Sequence, residues 1–172
     1  MEFLSLIKNL IPDYAKDIRL NIDGTVARSS LEGNDAVAVA LAAAFAAKSK
    51  VIVDIIKASG VLSAEEVNAV LTASALMGMN NVWYPFVEMT DDAEMKTQAA
   101  QLRMNAYATN GGVDKRRFEM YALSASIVGK CHFCVKSHFE LLKKEGMSTV
   151  QLRDVGRIAA VINAASQVIA AE

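Results

Sequence analysis

An all-α fold is what this sequence predicts, on three observations. Hydrophobic residues make up 53% of the 172, yet aromatics are only 6% and prolines number two, so alanine and leucine must supply the interior. Alanine is the strongest helix former, whereas strands favour β-branched and aromatic residues. No segment alternates polar and apolar residues for long enough to make a strand, while two helix starts carry the capping-box pattern, Ser63 with Glu66 and Ser148 with Gln151. The length suits one domain over residues 1–172, or two small repeats sharing a core.

Each element follows from its pattern. Phe3, Leu4, Ile7, Leu10 and Ile11 mark a short first helix that yields at Pro12, and Tyr14, Ile18 and Ile22 continue an apolar stripe to Gly24. "SSLEGND" reads as a turn. A long alanine-rich helix is expected from about Asp35 to Ser59, with Gly60 as its C-terminal cap. The helix opened by Ser63 follows, and Met77, Met79, Trp83 and Tyr84 read as core or subunit contact, with Asn80 and Asn81 as a helix end. "TDDAEM" should restart a helix, "TNGGVD" is the clearest loop, and Lys115 begins a further helical segment. Ser148 opens the last helix, expected to reach Ala170.

The two capped helices superpose at a constant offset. Ser63, Glu66, Val67, Val70, Ala75, Leu76 and Met77 match Ser148, Gln151, Leu152, Val155, Ala160, Val161 and Ile162, and an alanine-rich helix and a glycine-containing turn precede each. The reading is of two helical hairpins packed face to face, the first repeat at about 35–84 and the second at about 115–170. Duplication and the shared amphipathic pattern of alanine-rich helices account for the match equally well.

Composition excludes several classes. Formal net charge is -1, and the best basic cluster, Lys115-Arg116-Arg117, is short and flanked by Asp114 and Glu119, so it reads as a solvated helix start rather than a nucleic-acid face. The longest apolar run, Ala36 to Ala47, falls well short of the roughly 20 residues a membrane span needs. "MEFLSLIKNLIPDYAKDI" lacks a basic start followed by an apolar stretch, so no signal peptide is expected. The expectation is a soluble, cytoplasmic protein, and in a reducing compartment a lone cysteine pair points to catalysis or metal binding before structural stapling.

Both cysteines and both histidines lie in "GKCHFCVKSHFELL", residues 129–142. Cys131, Cys134 and His138 stand at i, i+3 and i+7, which puts them on one helix face, while His132 and Phe133 point elsewhere. Val128-Gly129-Lys130 reads as a break admitting a new helix near Cys131, and the unpaired amides of a helix start lower a thiol pKa. Lys130 adds a positive charge beside Cys131. Glu119 is the candidate carboxylate for a proton relay. In an unbroken helix it would lie roughly 18 Å from Cys131, but a turn at Gly129 would make the two helices antiparallel neighbours. Its apolar surroundings leave two readings open, a wet helix face or a function, and periodicity favours the first. Three readings of the cysteines also stay open: an inert reduced pair, a redox-active pair, and zinc bound by Cys131, Cys134 and His138, which lacks a well-placed fourth ligand. A thioredoxin-like site fails because no strand precedes the motif.

"LIPDYAKDIRLN", "MGMNNVWY", "LRMNAYATNGG" and "FEMYALSAS", in that order, together with a glutamate, C-x-x-C twelve residues on and a histidine four residues later, resemble the alkyl hydroperoxide reductase AhpD family of the carboxymuconolactone decarboxylase-like superfamily. The resemblance spans nearly the whole chain and implies an AhpD-like helical bundle of internally duplicated hairpins, associating as a homotrimer. It further implies an antioxidant peroxidase reducing organic hydroperoxides, with Cys134 as the peroxidatic thiol passing through a sulfenic acid and Cys131 as resolving thiol and proton donor. Cys131 and Cys134 would form the redox-active disulfide, with His138 and Glu119 as the proton relay. Electrons would come from dihydrolipoamide, the lipoyl group of a dihydrolipoyl acyltransferase re-reduced by lipoamide dehydrogenase, and an AhpC-type peroxiredoxin would be a partner. No metal or tightly bound cofactor is implied. Two positions depart from the family pattern: Phe133 stands where a histidine often precedes the second cysteine, with His132 one place earlier, and Gly129-Lys130 stands where asparagine-glycine is common. His132 and Lys130 are therefore possible supporting residues whose effect is on rate. The rival readings are a non-enzymatic redox sensor or scaffold, and a decarboxylase or disulfide-exchange activity on the same frame.

Overall fold

The computed structural model describes residues 1–172, and they form helices and turns with no strand. Nine α-helices follow in order: α1 (Glu2–Asn9), α2 (Lys16–Ile22), α3 (Asp35–Ala46), α4 (Lys50–Ala58), α5 (Ala64–Thr90), α6 (Asn105–Ala108), α7 (Lys115–Val128), α8 (His132–Lys144) and α9 (Thr149–Ala171). No helix is long and apolar enough to cross a membrane.

The core is built around α3 and α7. Residues Ala36 to Ala44 of α3 are all buried, and α3 packs against α4, α5, α7 and α9. A helix enclosed on every side needs small side chains, which is why alanine dominates here. In α7 the run from Phe118 to Ser126 is buried as well, and the Ser124 hydroxyl donates to the Val39 carbonyl at 2.9 Å, tying the two helices. The long capped helices flank them, α5 against α3 and α7, and α9 against the same two. Both capping boxes are formed, Ser63 with Glu66 and Ser148 with Gln151, each satisfying two orphan amides.

Several expectations give way. The helix expected from Asp35 to Ser59 is two, because Lys48 adopts φ 60° and Ser49 then caps α4 by accepting the Ile52 amide. "TDDAEM" starts no α-helix: its Thr90 ends α5, and only its Met95 enters a single 3-10 turn, Met95–Thr97. Tyr14 is exposed rather than part of the stripe, its hydroxyl donating to Glu172. Asn80 and Asn81 do not end a helix, since α5 runs on through Pro85 to Thr90. Nor is the basic cluster wholly solvated: Arg117 donates to Asp35 at 2.7 Å and Glu66 at 2.6 Å, joining α7 to α3 and α5.

Candidate active site

The turn between α7 and α8 sets the site. Gly129 caps α7 and keeps helical conformation, Lys130 takes φ 55°, and the amides of Lys130 and Cys131 bond back to Ile127 and Ser126. That is the Schellman arrangement, with lysine in the left-handed position glycine usually fills. It reverses the chain within three residues, so α8 returns along α7 and Glu119 comes opposite His138. Asn81 of α5 fixes the turn, donating to the Ala125 carbonyl at 3.1 Å, and a Cβ on Gly129 would come within 2.1 Å of its amide nitrogen.

Cys131 is the N-cap of α8. Its Sγ accepts the Cys134 amide at 3.2 Å and lies 3.9 Å from the Asn80 carbonyl. The two cysteines are joined by a disulfide, their Cα atoms 5.3 Å apart. Cys131 has no exposed surface, whereas Cys134, 3% exposed, borders a cavity of about 160 Å³ lined also by Asn80, Tyr84, Met104, Tyr107, Ser137 and His138. Phe133 forms its outer wall, stacked on Tyr84 at 4.3 Å between ring centres.

His138 is buried, and its Nδ1 lies 2.6 Å from Glu119 Oε2. Glu119, 1% exposed, also accepts a hydrogen bond from the Tyr107 hydroxyl on its other oxygen. Burial pushes the Glu119 carboxyl up, but the bonds from His138 and Tyr107 outweigh it, helped by the charges of His138 and Lys115, and the net shift is downward. An ionised carboxylate only accepts, so Nδ1 carries a proton and Nε2 is the ring nitrogen left free of Glu119. Nε2 faces the Met77 sulfur at 3.2 Å. Burial, reinforced by the bond to Glu119, drives the Tyr107 hydroxyl strongly upward, so it stays protonated as a donor.

Four of the residues singled out in the sequence, Glu119, Cys131, Cys134 and His138, therefore converge. Glu119 is not on a wet face, and its partner is the imidazole. His132 and Lys130 are exposed, with His132 Nδ1 3.5 Å from Glu88, and neither lines the cavity. No group of three His, Cys, Asp or Glu side chains is placed to hold a metal. Tyr107, Met77 and Asn80 escaped sequence reading: two come from α5 across more than fifty residues, and Tyr107 from a four-residue helix.

The Carboxymuconolactone decarboxylase family profile matches residues 93–172, which include every one of these cysteines and histidines. Over 171 residues the chain is 40% identical to the alkyl hydroperoxide reductase AhpD of Maricaulis maris, covering 98% of each protein. The chain belongs to the AhpD family. It is also 40% identical to the AhpD of Rhodospirillum centenum, over 98% of this chain and 91% of that protein. The AhpD of Coxiella burnetii is 38% identical over 96% of both. Matches of this length span nearly the whole chain and are not confined to the cysteine turn.

Proposed function

We propose that this AhpD-family chain is a peroxidase that reduces organic hydroperoxides through a Cys131–Cys134 dithiol–disulfide cycle. One observation carries the reading: the disulfide-bonded Cys134 and the imidazole of His138 border the same small cavity, and Glu119 fixes the tautomer of that imidazole. In the reduced protein the Cys134 thiolate attacks the terminal oxygen of ROOH. The S–O bond forms as O–O breaks, and both O–O electrons leave on the alkoxide, which takes a proton to become ROH. Sulfur is oxidised by two electrons and the peroxide is reduced by two. The Cys131 thiol then displaces water from the sulfenic acid, its S–H proton leaving with the hydroxide as the disulfide forms. The cavity border at Cys134, against the fully enclosed Cys131, supports these roles. His138 and Glu119 are the relay that supplies and recovers the proton.

Two thiols of a dihydrolipoyl group close the cycle in this reading, carried on an acyltransferase and replenished by lipoamide dehydrogenase with NADH. An AhpC-type peroxiredoxin is a further client, the chain acts as a homotrimer, and its compartment is the reducing cytoplasm, where a dithiol is restored after each turnover. Family membership supports these assignments. The test is steady-state consumption of tert-butyl hydroperoxide with NADH, lipoamide and lipoamide dehydrogenase. Wild type should turn over, and Cys134→Ser and Cys131→Ser should not. Undiminished turnover in Cys134→Ser would overturn the reading.

A further inference from the structure

Two adjacent asparagines of α5 stand over the cysteine turn with different occupations. Asn81 spends its amide on the Ala125 carbonyl. Asn80, 7% exposed, makes no side-chain hydrogen bond to any oxygen or nitrogen; its Nδ2 has only the Met77 sulfur, at 4.0 Å. Buried amides almost always find partners, and a thioether is a weak acceptor. His138 Nε2 meets the same sulfur at 3.2 Å. Two nitrogens thus meet at one sulfur, a poor acceptor for the Asn80 amide, at the edge of the cavity that Cys134 borders.

Resting on the peroxidase reading, we infer that Asn80 is a catalytic residue whose side-chain amide donates to the peroxide oxygen that departs as alkoxide. A peroxide oxygen entering beside Cys134 is a better acceptor than the Met77 sulfur, and it meets Asn80 Nδ2 and His138 Nε2 together. As Cys134 sulfur bonds to the terminal oxygen, negative charge grows on the RO oxygen. Asn80 holds that charge without giving up its proton, and the imidazolium of His138 delivers the proton that completes ROH. Donors fixed before the reaction, where charge develops, stabilise the transition state more than the bound substrate. The substrate placed this way is a hydroperoxide whose carbon-bearing oxygen lies toward α5, with its hydrocarbon against the Tyr84–Phe133 wall.

The experiment compares wild type with Asn80→Leu, close in shape but without a donor, and Asn80→Asp, equal in shape but with no amide hydrogens. Each protein is reduced, its fold checked by circular dichroism, and mixed with cumene hydroperoxide in single turnover while thiol loss is followed. In parallel, iodoacetamide alkylation of the reduced protein reports the reactivity of Cys134 without a peroxide. Oxidation should slow by about 10- to 100-fold in both variants, with alkylation at the wild-type rate in Asn80→Leu, which puts no charge beside the thiol. Oxidation at the wild-type rate in Asn80→Leu would overturn the inference, as would alkylation slowing in step with oxidation, since Asn80 would then act on the thiol. Wild type that forms no disulfide with peroxide would instead sink the peroxidase reading itself.

Discussion

Tyr107 contributes a single hydroxyl to the site, and that hydroxyl decides how Glu119 is held. With it, both carboxylate oxygens are bonded, one to Tyr107 and one to His138, and the charged form is favoured despite burial. Lys115 adds a weaker favourable charge, and no other ionisable group shifts it as strongly. Tyr107→Phe keeps the ring, which packs edge-on against Phe118 at 5.4 Å, and removes only the donor. The Glu119 pKa should then rise, so a higher pH is needed to keep the relay charged. We expect kcat to fall about tenfold, near the worth of one hydrogen bond to a charged group. KM should be unchanged and the acid limb of the pH profile should move upward. An unaltered profile with an unaltered kcat would show that Glu119 is held by His138 alone.

At the scale of elements, the site is the meeting of a sharp turn and a long helix. The turn needs a left-handed residue at position 130 and space at position 129, and the chain puts lysine at the first and glycine at the second. Lys130→Gly should therefore stabilise the protein by about 0.5–1 kcal/mol, by relieving a left-handed β-carbon. Gly129→Ala should destabilise it by about 1–3 kcal/mol, because Asn81 must leave the Ala125 carbonyl to make room. Urea unfolding of the two variants gives both signs in one experiment, and a neutral Gly129→Ala would mean that Asn81 moves freely. Much of this meeting was legible in the sequence. Cysteine, cysteine and histidine at i, i+3 and i+7 share a face by local geometry alone, and the break at Gly129 was marked by its glycine. What α5 brings was not legible, since no local rule says that Met77 and Asn80 end up over residues some fifty places on. The break at Lys48 was equally silent, because a left-handed lysine leaves no mark in a run of helix-forming residues. Pro85 does not stop α5, which passes through it to Thr90.

For the molecule as a whole, buried carboxylates fasten the helices and set how the fold answers to acid. Asp154 of α9, almost fully buried, accepts the Ser30 amide at 2.9 Å and lies 3.1 Å from both Arg153 and Arg157, which pins the segment leading into α3. Burial pushes its carboxyl up, but the Ser30 amide and the two arginines prevail and bring it down to about 2. Glu66 lies low through its bond to Arg117, whereas burial raises Asp35 in spite of the same arginine, so the Arg117 cluster partly cancels itself. A carboxyl depressed in the folded state stabilises the fold above its unfolded pKa of roughly 4 and loses that contribution as pH falls toward the folded value. For Asp154 the contribution at neutral pH is about 2 kcal/mol. Asp154→Asn should lose that amount at pH 7 and show a shallower decline between pH 5 and pH 2.5, read from urea midpoints at each pH. If wild type and variant decline in parallel, the acid response belongs to two other depressed carboxyls, the half-buried Glu66 and the buried Glu119, and the hold of α9 on the Ser30 segment is worth little.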